Sequence, residues 1–506
     1  MDGKSLKKDG GEELLRWFRE EGVRLREFES IPNTLDEWKH RKRLLTEELA
    51  KSFGEVRQCA EPPDIRHCGS VSGNGFDVEN ILIQTRPGLY MTANLYLPHG
   101  IKLGEMRPAI LKVHGHSDLG RLGSKYISVC TGLAKLGSIV LAVDAFGAGE
   151  RRFKENPYHG DMIGASLWPI GARLLGLQVY ENMRAIDYLI SRPDVDPDRI
   201  GCTGSSGGGN QTMYVAAFDE RIKAAVPVVS VGTYLSYIGS SNCVCETLID
   251  GLTYAEEWEI LGLVAPRALL VINSSSDAVC FSAQEASKSI SKAKNIYKLY
   301  GKEEALAHLV VDSPHGYNKP MREPMYGWFN KWLKGEESFA PIDEPEFELI
   351  DEEELRCFPG NSRPKDFTTI SKYVSMLGSI ARDKADKRMP QSLEEWSNTS
   401  IKLREGLRSV LKLKPDLLEE VSLNLEESRG SVKVPLALES GLITDLLITA
   451  PDGSSKSEHI NLVLSPKGKA DAMASKYWSD VLNKREYAST IDLRWTGELT
   501  WKRDAR

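Results

Sequence analysis

The strongest chemical signal in this chain of 506 residues is Gly204-Ser205-Ser206-Gly207-Gly208, which fits the pattern G-x-S-x-G. It follows a short apolar run at 200–203 and precedes a helical pattern that begins near Asn210. A sharp strand-to-helix turn with small flanking residues lifts a serine oxygen above the edge of a sheet. The helix N-terminus and the backbone N–H of Gly207 then face the negative charge that develops on an attacked carbonyl. A serine hydroxyl is a poor nucleophile at neutral pH and needs an adjacent base. In the sheet order that accompanies such an elbow, the partners follow as an acid and then a histidine, each on a loop after a later strand. Asp277, just beyond the apolar run 268–273, and His315, just beyond 308–312, stand in that order. Ser206 is therefore the expected nucleophile, His315 its base, and Asp277 the group that holds the imidazole in the right tautomer. Glu246, on the loop after 224–229, is the alternative acid.

The run Val113-His114-Gly115-His116-Ser117-Asp118 ends an earlier strand, where this architecture places a second oxyanion donor. The backbone N–H of His116 is expected to serve. Its two histidines and one aspartate have no recognised zinc spacing, so no metal is expected there, and no cofactor elsewhere. Asp144 and Glu150, in Asp144-Ala-Phe-Gly-Ala-Gly-Glu150-Arg151-Arg152, read as structural because both recur later in the chain. Arg151 and Arg152 are candidates to face the substrate, as are His114 and Tyr317. The insert 154–171, with Tyr158, His159 and Trp168, is a candidate lid or sugar-stacking wall. Cys243-Val-Cys245 alone is weak support for metal or redox work.

These residues need a scaffold, and the surrounding pattern supplies one. Strand-like runs at 78–84 and 90–97 flank the turn residues 86–88. Short apolar strands then follow at 109–113, 138–143, 200–203, 224–229, 268–272 and 308–312. Helical patterns at 127–136, 173–190, 210–217 and 321–333 alternate with them. That alternation predicts an α/β fold with a doubly wound, mostly parallel sheet and its ligands at the carboxyl ends of the strands. Residues 14–53 read as helical with a break at Pro32-Asn33, so 1–60 is an N-terminal helical segment and 61–340 the catalytic domain. Residues 341–390 are read as an acidic linker.

Residues 391–506 are read as a partial second copy of the same fold. Leu35-Asp-Glu-Trp38 reappears as Leu393-Glu-Glu-Trp396, and Ser124-Lys-Tyr126 as Ser475-Lys-Tyr477. Asp144 with Gly149-Glu150 reappears as Asp492 with Gly497-Glu498. Gly88-Leu89 likewise reappears as Gly441-Leu442, and four matches in order at a nearly constant offset mark a repeat. The copy has Ser465-Pro466 where the oxyanion loop would be and reaches no nucleophile, so it is expected to be catalytically incomplete. A few strands without their partners leave an open edge, so packing against the first domain or a homo-oligomeric contact are roles open to it.

Composition narrows the function classes. Forty-one per cent hydrophobic and 27% charged residues exclude a membrane protein, a disordered chain and a fibre. The net charge of −7 is concentrated between 343 and 354, which hold eight carboxylates and no base. The remainder is close to neutral, so nothing global points to nucleic acid or a membrane surface. The amino terminus lacks a signal-peptide pattern, and eight scattered cysteines fit reduced thiols, so a cytoplasmic location is expected.

His114-Gly-His, Asp144 with Gly147-x-Gly-Glu-Arg, Arg199-Ile-Gly-x-Thr-Gly-x-Ser206-Gly-Gly-Gly, Ala265-Pro-Arg267 leading into Asp277, and Pro314-His315-Gly together resemble the α/β-hydrolase superfamily over about residues 60 to 335. The closest resemblance is to its acetyl-xylan-esterase-like and dienelactone-hydrolase-like branch. It implies hydrolysis of carboxylic esters, often acetyl groups on sugars, through an acyl-enzyme and without a cofactor. Glucuronoyl esterases carry arginine directly after the serine, where this chain has Gly207. Related sugar esterases are often exported, yet no signal-peptide pattern is read here, so soluble oligosaccharides or small esters rather than a polymer are the expected substrates. Peptidases of the prolyl-oligopeptidase type share triad and sheet but usually carry a large propeller, and about 60 residues precede this core. An inactive, hydrolase-like scaffold is the reading from another class.

Overall fold

The computed structural model describes residues 10–54, 61–152, 162–240, 243–365, 367–411, 431–439, 442–451, 460–493 and 496–497. It separates into two compact units, Leu25–Lys384 and Met1–Arg24 with Ala385–Arg506.

The larger unit is built on nine strands: β1 (Ile65–Gly73), β2 (Phe76–Arg86), β3 (Leu89–Pro98), β4 (Arg107–Lys112), β5 (Ile139–Val143), β6 (Val195–Ser205), β7 (Ile222–Val228), β8 (Ala268–Ser276) and β9 (Leu306–Pro314). Their order is β1-β2-β3-β5-β4-β6-β7-β8-β9. Pairing is antiparallel from β1 to β5 and parallel from β5 through β9. The period-2 alternation of strand side chains feeds two cores. Ala109, Leu111, Leu141, Leu269 and Val271 pack on one face with the helices Leu174–Ser191, Gly207–Phe218 and Glu257–Val264. Ile110, Val140, Ala142, Leu270 and Ile272 pack on the other with Ser124–Lys135 and Lys319–Lys334. A doubly wound α/β sheet is thus what the apolar runs produce.

The helical segment expected before the sheet is two helices, Gly10–Leu25 and Leu35–Phe53. Thr34 caps the second by accepting from the Glu37 N–H at 3.2 Å, and the Glu37 carboxylate accepts from the Asn33 N–H at 2.8 Å. Trp38, Leu45, Leu49 and Phe53 then enter the core.

Residues 341–384 depart from the linker reading. Leu355, Cys357 and Phe358 are buried, and the backbone carbonyls of Glu354, Leu355 and Arg356 accept hydrogen bonds from Asn80 and Asn94 on β2 and β3. A helix at Ile370–Asp386 follows, with Tyr373 edge-on to Phe146. The carboxylate run suggests solvated chain, but the apolar residues just after it dock this segment on the sheet.

In the smaller unit, β10 (Ser431–Glu439), β11 (Leu442–Thr449), β12 (Ile460–Leu462) and β13 (Tyr487–Thr490) take the order β10-β11-β13-β12. Their pairings are antiparallel, antiparallel and parallel, as for β2-β3-β5-β4. The Asp492 carboxylate accepts from the Lys469 N–H at 2.7 Å, as Asp144 accepts from the Arg121 N–H at 2.9 Å. A Cβ on Gly468 or Gly497 would meet Asp492, and one on Gly120 or Gly149 would meet Asp144. Glu498 lies outside the described residues. No described helix is long and apolar enough to cross a membrane.

Lys112, inside the apolar run of β4, is fully buried with its Nζ 3.4 Å from the centroid of the Tyr126 ring. Desolvation pushes its pKa down to about 7. An unfolded lysine titrates near 10.4. Between about pH 7 and 10 the unfolded chain therefore holds a proton that the folded chain lacks, and stability rises with pH. Lys112→Met is expected to raise the urea midpoint at pH 7.5 and to remove a slope of at most ~1.4 kcal/mol per pH unit. Equal slopes for variant and wild type between pH 7.5 and 9.5 would show that the ammonium stays charged in the fold.

Candidate active site

The turn at Ser206 is tight and strained. Ser206 closes β6 with φ 58° and ψ −127°, a conformation that non-glycine residues rarely hold. Hydrogen bonds fix it on both sides: its N–H donates to the Val228 carbonyl at 2.9 Å, and its carbonyl accepts from the Asn210 N–H at 3.0 Å. The neighbouring glycines are there for space. A Cβ on Gly204 would lie 2.6 Å from the Val113 and Gly208 carbonyls, and one on Gly115 would lie 2.5 Å from the Ser205 carbonyl. The loop 113–118 and the turn 204–208 thus touch backbone to backbone, which leaves Ser206 the partly exposed residue of a buried turn.

Asp277 and His315 leave the carboxyl ends of β8 and β9 on the same side of the sheet. His315 Nδ1 lies 2.9 Å from both carboxylate oxygens of Asp277. The aspartate is buried while the histidine is partly exposed, and the Phe281 ring stacks beside the imidazole. With Nδ1 donating to the carboxylate, Nε2 is the nitrogen left to take a proton.

Glu246 sits elsewhere. Its Oε1 is 3.2 Å from where a Gly207 Cβ would stand and 4.0 Å from His116 Nε2. It also accepts from the Cys243 N–H at 3.2 Å and from Asn210 Nδ2 at 3.4 Å. Burial raises its pKa. For His116 burial works the other way, but hydrogen bonding to Cys243 and the charge of Glu246 outweigh it and raise the pKa. The His116 ring is packed against Gly207, 3.2 Å from that same Cβ position.

Three of the expected substrate contacts belong to the protein's own framework. His114 is buried, with Nδ1 donating to the Gly115 carbonyl at 2.7 Å and Nε2 accepting from the Ala145 N–H at 3.1 Å. Arg151 is buried and forked onto both oxygens of Glu181 at 2.7 Å. Tyr317 is buried with its hydroxyl 2.5 Å from Thr203 Oγ1. Each is buried and makes its hydrogen bonds to internal partners, which corrects their assignment to the substrate. Arg152 pairs with the exposed Asp118, and Trp168 is 41% exposed. Tyr158 and His159 lie outside the described residues.

Arg121 is the residue that motif reading passed over. Fully buried, it pairs with Asp144, reaches Glu150 at 2.6 Å and donates from Nε to Asn94 at 2.7 Å. Burial alone would push the Asp144 carboxyl up, but the Arg121 guanidinium holds it well below the usual carboxylate range. The recurrence of Gly120-Arg121 as Gly468-Lys469, at the same offset as Asp144 and Asp492, was the available signal.

Set beside known proteins, residues 80–238 match the family model described as acetyl xylan esterase (AXE1), and residues 160–336 match that of the prolyl oligopeptidase family. "Putative hydrolase YtaP" of Bacillus subtilis (strain 168) is 30% identical over 243 residues, which cover 45% of this chain and 79% of the relative. The chain belongs to the α/β-hydrolase family. Within it this is an acetyl-xylan-esterase-like protein, a carboxylic ester hydrolase. "Uncharacterized peptidase YuxL" of the same organism is 28% identical over 165 residues, 32% of this chain and 23% of that one. Among solved structures, methylesterase BT1017 shares the fold with a TM-score of 0.55 at 22% identity, over 75% of this chain and 80% of its own.

Removing the Arg121 cation would leave two buried carboxylates without their partner, which costs about 3–5 kcal/mol. Arg121→Met is therefore expected to lower the denaturant midpoint strongly at pH 7. Because the carboxyl of Asp144 is depressed by Arg121, its contribution is present above the unfolded value near 3.9 and is lost as pH falls below it. In the variant, acidification instead relieves the orphaned carboxylates, so its deficit should shrink between pH 7 and 4.5. A deficit that stays constant over that range would assign the loss to packing alone.

Proposed function

We propose that this α/β-hydrolase is a serine esterase that removes acetyl or other short acyl groups from a small sugar ester or oligosaccharide. The observation that carries the reading is the 2.9 Å contact of His315 Nδ1 with the buried Asp277 carboxylate, on loops that follow β9 and β8, together with a serine held at φ 58° on the turn after β6. In this reading Ser206 Oγ attacks the acyl carbon while His315 Nε2 takes its proton. The backbone N–H groups of Gly207 and His116 receive the negative oxygen. His315 then protonates the departing alcohol, and a water activated by the same nitrogen releases the acid from the acyl-enzyme. Asp277 is the acid of the triad; Glu246 faces His116 and Gly207 instead, which argues against its serving His315. The acetyl-xylan-esterase match over 80–238 supports a short acyl group, and Trp168 and Arg152 are the partly exposed side chains offered to the alcohol.

The prolyl-oligopeptidase match over 160–336 gives a peptidase reading a specific foothold, because that span holds the elbow and both its partners. Ester and peptide substrates separate the two. Wild type is expected to hydrolyse p-nitrophenyl acetate and to lose rate steeply toward the octanoate, with no cleavage of a proline-containing peptide amide. Ser206→Ala should abolish both turnover and fluorophosphonate labelling. Asp277→Asn should lower kcat by about 10⁴, and Glu246→Gln by far less. Peptide cleavage that exceeds ester hydrolysis would favour the peptidase, and activity that survives in Ser206→Ala would name the wrong nucleophile.

A further inference from the structure

One cluster of side chains is left over by ester chemistry. His116, Cys243 and Cys245 each bring a ligating atom to one place, with an imidazole nitrogen and both Sγ atoms within 4.8 Å of one another. His116 Nε2 is 3.2 Å from the Cys245 sulfur, and Glu246 Oε1 is 4.0 Å from the same nitrogen. The arrangement is held by a tight turn. The Glu246 N–H donates to the Cys243 carbonyl at 2.9 Å, and the Cys243 N–H donates to Glu246 Oε2 at 3.2 Å. Cys243, Cys245 and Glu246 therefore project together toward the oxyanion loop that carries His116.

We infer that His116, Cys243, Cys245 and Glu246 form a binding site for a thiophilic divalent cation, zinc, beside the nucleophile elbow. Zinc takes thiolate sulfur at about 2.3 Å and imidazole nitrogen at about 2.0–2.1 Å, in tetrahedral geometry. Ligand atoms on the edges of such a tetrahedron lie roughly 3.5–3.8 Å apart. The separations here, from 3.2 Å to at most 4.8 Å among the three N and S atoms, need only small rotations to close on an ion. Two thiolates and an imidazole select zinc over magnesium or calcium, which require oxygen. The buried carboxylate of Glu246 supplies the fourth ligand from the same turn. Binding releases the two thiol protons to solvent and leaves His116 neutral, ligating through Nε2. The site fastens the turn 243–246 to the oxyanion loop, across Gly207. It does not depend on which carboxylate serves His315.

The test uses the full chain, reduced with a phosphine and freed of metal by a chelator, then titrated with zinc against a chromophoric competitor and separately with cobalt(II). One equivalent of zinc is expected to bind, and cobalt should give the near-ultraviolet charge-transfer band of thiolate ligation. Cys243→Ala/Cys245→Ala should lose the band and bind zinc at least about a hundredfold more weakly. Cys68→Ser, away from the cluster, should bind as wild type. Glu246→Gln should keep the cobalt–thiolate band while weakening zinc, which preserves the test if the double variant misfolds. No zinc bound by the reduced wild type, or equal binding by the double-alanine variant, would overturn the site.

Discussion

Arg121 is a buried cation surrounded by groups drawn from far along the chain. Asp144 and Glu150 come from the loop after β5, Asn94 from β3, and the Leu355 carbonyl from the segment after the last helix of the sheet. Glu150 in turn accepts from the N–H groups of Cys357 and Phe358 at 2.9 Å. A buried guanidinium is costly unless its donors are matched, and here it is matched by two carboxylates, an amide and a carbonyl. Segments distant in sequence are therefore tied to one point under the loops that carry the site. Asp144 also lies 3.4 Å from His114, whose neighbour Gly115 packs on the turn at Ser206, so the fork and that turn share a wall.

The smaller unit contains the same device with a different cation. Lys469 stands 3.4 Å from Asp492, with glycines crowding the carboxylate as they crowd Asp144. Its capped helix Leu393–Val410 repeats the Ser/Thr cap, with Ser392 accepting from the Glu395 N–H at 3.1 Å. Yet Trp396 is 51% exposed where Trp38 is fully buried. What the repeat keeps is the local hydrogen-bonded framework; what it lacks in the described residues is the burial of the helix face.

Across the sheet, the candidate site residues divide by exposure. Ser206 and His315 keep some surface, whereas Asp277, His114, Arg151 and Tyr317 are closed in by their partners. The two acids also differ in partner: Asp277 meets the ring of His315, and Glu246 stands by His116 and accepts from the Cys243 N–H of its own turn.

Much of this was legible from residue order. The elbow pattern, the later acid and histidine, and the strand-helix alternation depend on local backbone geometry and side-chain periodicity, which sequence spacing carries directly. The likeness of the second sheet's strand order to β2-β3-β5-β4 has the same kind of signal in the sequence, in matches at nearly fixed intervals. Tertiary structure alone decided that His114, Arg151 and Tyr317 point inward, that residues 355–358 dock rather than link, and that Arg121 gathers the loops. It also brought His116 to Cys243 and Cys245, 127 and 129 positions away. Those outcomes turn on which polar atoms meet once the strands pair. Spacing along a chain does not encode the partner of a buried charge; the packing that removes water from it does.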